Sequence, residues 1–151
     1  MGRRASDQPL ADLLLTTGRT LRLATVGPDG VPHVVPLWFV WWDGRVFMLS
    51  VTRSLKTTHA RQGRWAAAVV DEGQEQAEVR DRRLVLHHLR GVEVRGPLSV
   101  AAGDPVIVEV ARAWGRKYVG VEDFPPDGLR DHTWLCLEPR VVLTWDYGRW
   151  G

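Results

Sequence analysis

The sequence predicts a mainly β fold with a few short helices, a small barrel forming one domain over residues 1–151. Between Leu21 and Val51, three runs rich in β-branched and aromatic residues follow one another, LRLATV, VPHVVPLWFVWW and RVFMLSV. They are separated by Gly27-Pro28-Asp29-Gly30 and Trp42-Asp43-Gly44-Arg45, combinations that supply the backbone angles a reversal needs, so a β-meander is expected. The third run then opens into a basic, hydroxyl-rich turn and a short helix. A chain of 151 residues is long enough to bury a core of its own without disulfides or metal.

Asp7 can cap an amphipathic helix running to about Thr17, with Leu10, Leu13 and Leu14 on one face and Gly18 stopping it. Strands are expected over residues 20–26, 31–42 and 45–52, followed by a short helix that starts at Arg53 or Ser54 and ends at Gly63. WAAAVVD, residues 65–71, reads as a buried strand, and the polar stretch 72–83 as a flexible loop. Residues 84–100 read as one long kinked strand or a close pair, with Gly91 and Gly96 marking bends or bulges. Residues 104–119 carry Val106, Val110, Ala113 and Trp114 at helical spacing, with Arg112, Arg116 and Lys117 toward the C-terminal end, which suits an amphipathic helix with a solvated basic face. Two last strands, 132–137 and 141–145, are expected to meet at a turn on Glu138, Pro139 and Arg140.

The 20 basic and 18 acidic residues leave a net charge of +2, so no nucleic-acid surface is implied. No run approaches the roughly 18 consecutive apolar residues of a membrane span, and residues 1–7 lack the apolar core of a secretion signal. A single cysteine, Cys136, excludes an internal disulfide and points to a reducing compartment, the cytoplasm. Eight tryptophans are more than one small core can hide, so some are expected in a pocket wall or a subunit interface.

The segment Ser50-Val51-Thr52-Arg53-Ser54-Leu55-Lys56-Thr57-Thr58-His59 concentrates the chemistry. Where a strand hands over to a helix, free N–H groups converge, and Arg53, Ser54, Lys56, Thr57 and Thr58 add donors around the same spot, as a phosphate requires. By itself the pattern fits a plain Ser-capped surface helix better than a phosphate site. His33 is a candidate for hydrogen bonding to a cofactor ring or passing a proton, or else a rim residue packed beside tryptophans. His87 and His88 are adjacent and point to opposite faces of a strand, and His59 reads as a surface residue, so no metal site is expected. No Gly-rich dinucleotide fingerprint, Walker loop or nucleophile elbow occurs.

The ordered set of the 21–73 block, LRGVEVRGPLSV, RKYVG and VVLTWDYG resembles the flavin and deazaflavin oxidoreductases of the pyridoxamine-phosphate-oxidase-like split-barrel superfamily. It is most similar to the actinobacterial members that bind the deazaflavin coenzyme F420, on the strength of Pro32-His33-Val34-Val35-Pro36-Leu37-Trp38 and Ser54-Leu55-Lys56. The resemblance implies a split β-barrel homodimer that binds F420, with FMN as the alternative, and transfers hydride to or from a small organic substrate. A flavin carrier without turnover, or a haem-binding split barrel with an axial histidine, is the alternative in a different class. Carried over by position, Arg53, Lys56 and Thr57 would bind phosphate, while Pro36, Trp38, Ser50, Val51 and Thr52 would form the wall beside the ring, with His33 next to them. Leu55 stands where many relatives have a basic residue, so Arg53 or Arg61 must supply the second cation.

Overall fold

The computed structural model describes residues 6–149, so most of the N-terminal segment read for a secretion signal lies outside the described residues. The chain order is α1 (Gln8–Thr17), β1 (Leu21–Val26), β2 (Pro32–Leu37), β3 (Phe39–Trp42), β4 (Arg45–Val51), α2 (Leu55–Arg61), β5 (Trp65–Glu72), β6 (Glu78–Arg80), β7 (Arg83–Val85), β8 (Arg90–Val100), α3 (Ile107–Tyr118), β9 (His132–Leu137) and β10 (Val141–Asp146). The main sheet runs β2-β1-β5-β8-β9-β4-β3, and β10 also pairs with β8. All these pairings are antiparallel.

The meander holds with one correction. The apolar run 31–42 is not a single strand: β2 pairs with β1, β3 pairs with β4, and the chain breaks between them at Trp38. A tyrosine from the far end of α3 stabilises that break. The Tyr118 hydroxyl accepts from the Phe39 N–H at 2.9 Å and lies 2.9 and 3.0 Å from the Arg19 and Phe39 carbonyls, either of which can accept its single proton. Backbone groups freed from one ladder thus find a partner before the next begins.

The 72–83 segment is also more ordered than its composition suggests. After Gly73, at φ +96°, a single 3-10 turn leads into the β6–β7 hairpin, closed by Asp81 and Arg82 at φ +51° and +63°. Both strands are short and solvent-exposed, so they carry no apolar alternation, and an Asp-Arg turn lacks the glycine that usually announces this geometry.

The strand β8 is the corner of the barrel. It pairs with β5 along most of its length, and on its other edge with β10 over Arg90–Arg95 and with β9 over Leu98–Val100. The last two strands therefore do not fold onto each other as a hairpin. They follow one another along β8, and Glu138–Arg140 form a bulge opposite Gly96 and Pro97. Gly96 is required there because a Cβ would stand 1.8 Å from the Glu138 carbonyl oxygen.

Two apolar clusters result. Alternate β4 residues serve both: Val46 and Met48 point into the barrel with Leu21, Leu23, Phe39 and Leu135, whereas Phe47 and Leu49 face α3 with Val110, Trp114 and Trp134. Each fully buried side chain of this size contributes roughly 1.5–3 kcal/mol. Helix α1, capped by Asp7 through Leu10, closes the barrel with Leu10, Ala11, Leu14 and Leu15, while Leu13 is exposed because it lies off that arc.

Candidate functional site

At the end of β4 the chain turns through Thr52–Ser54 into α2. The hydroxyls of this turn are bonded mainly to each other and to one carbonyl. Ser54 Oγ and Thr57 Oγ1 both donate to the Val51 carbonyl, at 2.7 and 2.8 Å, and Ser50 Oγ lies 2.7 Å from Thr57 Oγ1. Thr57 is fully buried and Ser50 nearly so. The two residues shape the turn, with Arg53, Ser54 and Lys56 around them.

Helix α2 is locked from its other end by His59. Expected on the surface, this imidazole is instead buried, its Nδ1 2.8 Å from the Thr25 hydroxyl and its Nε2 against Gly27. His33 packs edge-on against it, with the rings 6.5 Å apart. His33 thus faces α2, three residues and roughly 10 Å along the strand from Pro36.

Between these two anchors sits Lys56. Only 9% of the residue is exposed, and its Nζ donates to Ser54 Oγ at 3.2 Å. No carboxylate pairs with it among the described residues. Burial lowers the ammonium pKa below the usual lysine value. Arg53 and Arg61 are exposed nearby in the chain and form no ion pair among the described residues.

Two residues before the end of β4, Leu49 enters the wall of a pocket of about 410 Å³. Its lining includes Pro36, Trp38, Trp114, Leu129 and His132, and His132 is the β9 partner of Val51. The wall beside the pocket and the turn that holds Lys56 are thus consecutive parts of one strand. The volume lies within the roughly 300–1,000 Å³ of small-molecule sites.

One side of the pocket is aromatic. Trp38, half exposed, stacks on Tyr118 with centroids 4.6 Å apart and planes 6° from parallel. Trp114 lies 5.8 Å from Trp38 and 5.0 Å from Phe124, which packs against Gly115 and Gly128. The end of α3 departs from the solvated basic face expected for it. Arg112 and Arg116 are answered by Glu109, Asp123 and Glu122, but Lys117 turns inward, donating to the Phe39 carbonyl at 3.0 Å and lying 4.0 Å over the Phe39 ring. Burial, with Arg19 adding to it, brings the Lys117 pKa down to about 8.

Sequence reasoning found Pro36 and Trp38 but missed Leu49, Trp114, Leu129 and His132. Of these, Trp114 had a signal, a tryptophan on a helix face already supplied with core residues. Of the other three, Leu49 is far in the chain from Leu129 and His132 and meets them only through the β4–β9 pairing and the loop before β9.

Solved structures share this arrangement of elements. A conserved hypothetical protein from Mycobacterium tuberculosis is 22% identical, with a TM-score of 0.79 over 100% of this chain and 91% of that one. The haem storage protein HutZ from Vibrio cholerae is 19% identical, with a TM-score of 0.70 over 92% and 93% of the two chains. An F420 reductase is 22% identical, with a TM-score of 0.61 over 87% and 94%. Among curated proteins none matches the sequence. The split barrel is common to proteins with different ligands, but the family model for pyridoxamine 5'-phosphate oxidase matches residues 9–146, from the barrel-closing helix to the last strand, and the chain belongs to that family.

Proposed function

We propose that this protein is a flavin-type oxidoreductase that binds the deazaflavin F420, in preference to FMN, and exchanges hydride with a small organic substrate. The observation that carries the reading is Lys56, a nearly buried ammonium with no carboxylate partner among the described residues, just beyond the strand whose Leu49 lines an aromatic-walled pocket. A phosphate at this turn would compensate the charge, and the ring would extend along the backbone of Ser50, Val51 and Thr52 toward Pro36 and Trp38. The bound cofactor supplies the hydride chemistry. The protein's part is to hold the ring beside Trp38, to keep water from the pocket with its aromatic side, and to anchor the phosphate with Lys56 and Arg53. No side chain is assigned as general acid.

Preference for F420 rests on the cations. With Leu55 beside the turn, and with Arg112 and Arg116 engaged by carboxylates, Arg53 and Arg61, which form no ion pair among the described residues and neighbour the turn in the chain, are the guanidinium groups available to an anionic tail beyond the first phosphate. Titrating the protein with F420, FMN and haemin tests this directly. F420 is expected to bind more tightly than FMN and to weaken more steeply with added salt, since exposed charge contacts are screened beyond about 10 Å at 0.1 M. Tighter binding of FMN would overturn the F420 assignment. Saturable 1:1 binding of haemin, without either flavin, would replace the flavin reading by a haem one. Turnover with reduced cofactor separates an enzyme from a carrier.

The protein is further proposed to act as a homodimer. The outer face of β2, β1 and β5 exposes Val34 (63%) and Trp65 (55%) around the small residues Ala24 and Ala67, with shallow depressions of about 330 and 280 Å³. An apolar sheet face of this kind is suited to a second copy about a two-fold axis. Light scattering is expected to give twice the chain mass. Ala67→Glu, at a residue lining both depressions, is expected to shift it to the monomer, and a monomeric parent protein at micromolar concentration would refute the proposal.

A further inference from the structure

Hydride addition to a polarised double bond leaves a negative charge that a proton must meet, and a pocket with apolar walls needs a side chain to deliver it. His132 is the one acid–base side chain among the described residues lining the 410 Å³ pocket. His33, the candidate from the sequence, packs on His59 and does not line it. Strand alternation fixes the side on which His132 projects. It stands two residues before Trp134 on β9 and opposite Val51 on β4, so its side chain leaves the sheet on the face of Leu49 and Trp134, where Trp114 packs and the pocket lies. The imidazole is half-buried, with its Nδ1 2.7 Å from the Arg130 carbonyl. A carbonyl oxygen only accepts, so Nδ1 carries hydrogen in both charge states and proton exchange falls to Nε2. Nε2 has no hydrogen-bond partner among the described residues, yet it is not sealed in, since the one buried side-chain polar atom left unpartnered there is the indole nitrogen of Trp114. One end of the ring is thus anchored to backbone, and the other is accessible and unengaged.

The rest of the lining sets the substrate class. Pro36, Leu49, Leu129 and the two tryptophans offer no cation to a carboxylate or phosphate, and the one hydroxyl is that of Thr20. A flat, apolar molecule with a single oxygen acceptor, such as a conjugated ketone, suits these walls. We propose that His132, through Nε2–H, binds and protonates the carbonyl oxygen of an α,β-unsaturated ketone reduced in this pocket. The role rests on the flavin reading for its hydride, and His132 is the pairing partner of Val51, along whose backbone the ring is proposed to extend. Hydride from the reduced cofactor makes the new C–H bond at the β-carbon, the C=C electron pair shifts to form the enolate, and the enolate oxygen takes the Nε2 proton. The substrate gains the two electrons that the cofactor loses, and the enol isomerises to the saturated ketone. Solvent then reprotonates Nε2, while the Arg130 carbonyl holds the ring in place.

The test uses the full protein with isotope-labelled histidine, free and loaded with oxidised F420 or FMN, and cyclohexenone as the probe. Long-range proton–nitrogen spectra are expected to show hydrogen fixed on His132 Nδ1 and an Nε2 signal that moves when the enone is added, the signals being assigned by their loss in the variants. His132→Phe is expected to bind the enone about three- to tenfold more weakly. His132→Gln, whose amide still donates a hydrogen bond but has no proton to give, is expected to bind it within about twofold of the parent, yet to slow its reduction by reduced cofactor at least about a hundredfold. Both variants are expected to keep the parent's cofactor affinity and thermal midpoint. Parent-like reduction in both variants, hydrogen on Nε2 with a bare Nδ1, or no binding of the enone by the parent would each overturn the proposal. A loss of cofactor affinity that accounts for the lost turnover would make His132 a cofactor contact and also overturn it. If the enone binds the parent and weakens in His132→Phe, but neither reduced F420 nor reduced FMN transfers hydride to it, carbonyl binding by His132 stands and the flavin reading falls.

Discussion

Replacing Lys56 by alanine is expected to raise the dissociation constant for F420 or FMN at least tenfold while the protein stays folded. A charge-assisted hydrogen bond to an anion contributes roughly 1.5–3 kcal/mol, and about 1.4 kcal/mol corresponds to a factor of ten. The fold loses little because the ammonium is nearly buried, donates to Ser54 Oγ alone in the structure, and has its pKa lowered by that burial. The same lowering sets a pH dependence. Binding requires the charged form, so affinity declines as pH rises toward the lowered lysine pKa, and this decline disappears in the alanine variant. Arg112→Ala is the comparison, since its guanidinium is taken up by Glu109 at 3.0 Å, and it is expected to leave affinity within about twofold. Fluorescence titration of the three proteins from pH 7 upward measures all of this, and parent-like affinity in Lys56→Ala would move the phosphate elsewhere.

The largest effect on stability is expected from Gly96→Ala. The new Cβ would lie 1.8 Å from the Glu138 carbonyl oxygen and 3.2 Å from the Arg140 nitrogen. Both are backbone atoms in the bulge that passes β8 from β9 to β10, so no side chain can swing aside. The strands must separate locally, at the point where Arg140 N–H donates to the Arg95 carbonyl and Glu138 N–H to that of Pro97. Overpacking against rigid backbone costs about 3 kcal/mol, which for a chain of this size lowers the thermal midpoint by roughly 6–12 °C. Gly103→Ala, where an added Cβ meets nothing within 4 Å, is expected to stay within about 0.5 kcal/mol of the parent. A midpoint for Gly96→Ala equal to that of Gly103→Ala would show that the bulge is soft.

Much of the candidate site was legible because it is local. The turn from β4 into α2 is written in consecutive residues, Ser50 to Thr57, and the structure places the strand-to-helix junction there. The misreadings have a shared cause. His59 and Lys117 carry polar groups, so their composition argues for solvent, yet His59 is buried and Lys117 half-buried because a distant residue supplies a partner, Thr25 for the imidazole and the Phe39 carbonyl for the ammonium. The likeness to other split barrels extends this only as far as the fold.

By itself the sequence determined most of the strand and helix segments, apart from the β6–β7 hairpin, together with where α1 and α2 begin and end and where the cations of the turn collect. These follow from side-chain periodicity, capping and turn preferences, all of which act over a few residues. Tertiary structure alone decided that residues 32–37 and 39–42 belong to different ladders, that β9 and β10 share an edge of β8, and that Pro36, Leu49, Trp114 and His132 enclose one pocket. Strand propensity does not encode a pairing partner. The break at Trp38 is held by a hydroxyl 79 positions away in the chain, and no local pattern can announce a hydrogen bond of that separation before the barrel closes.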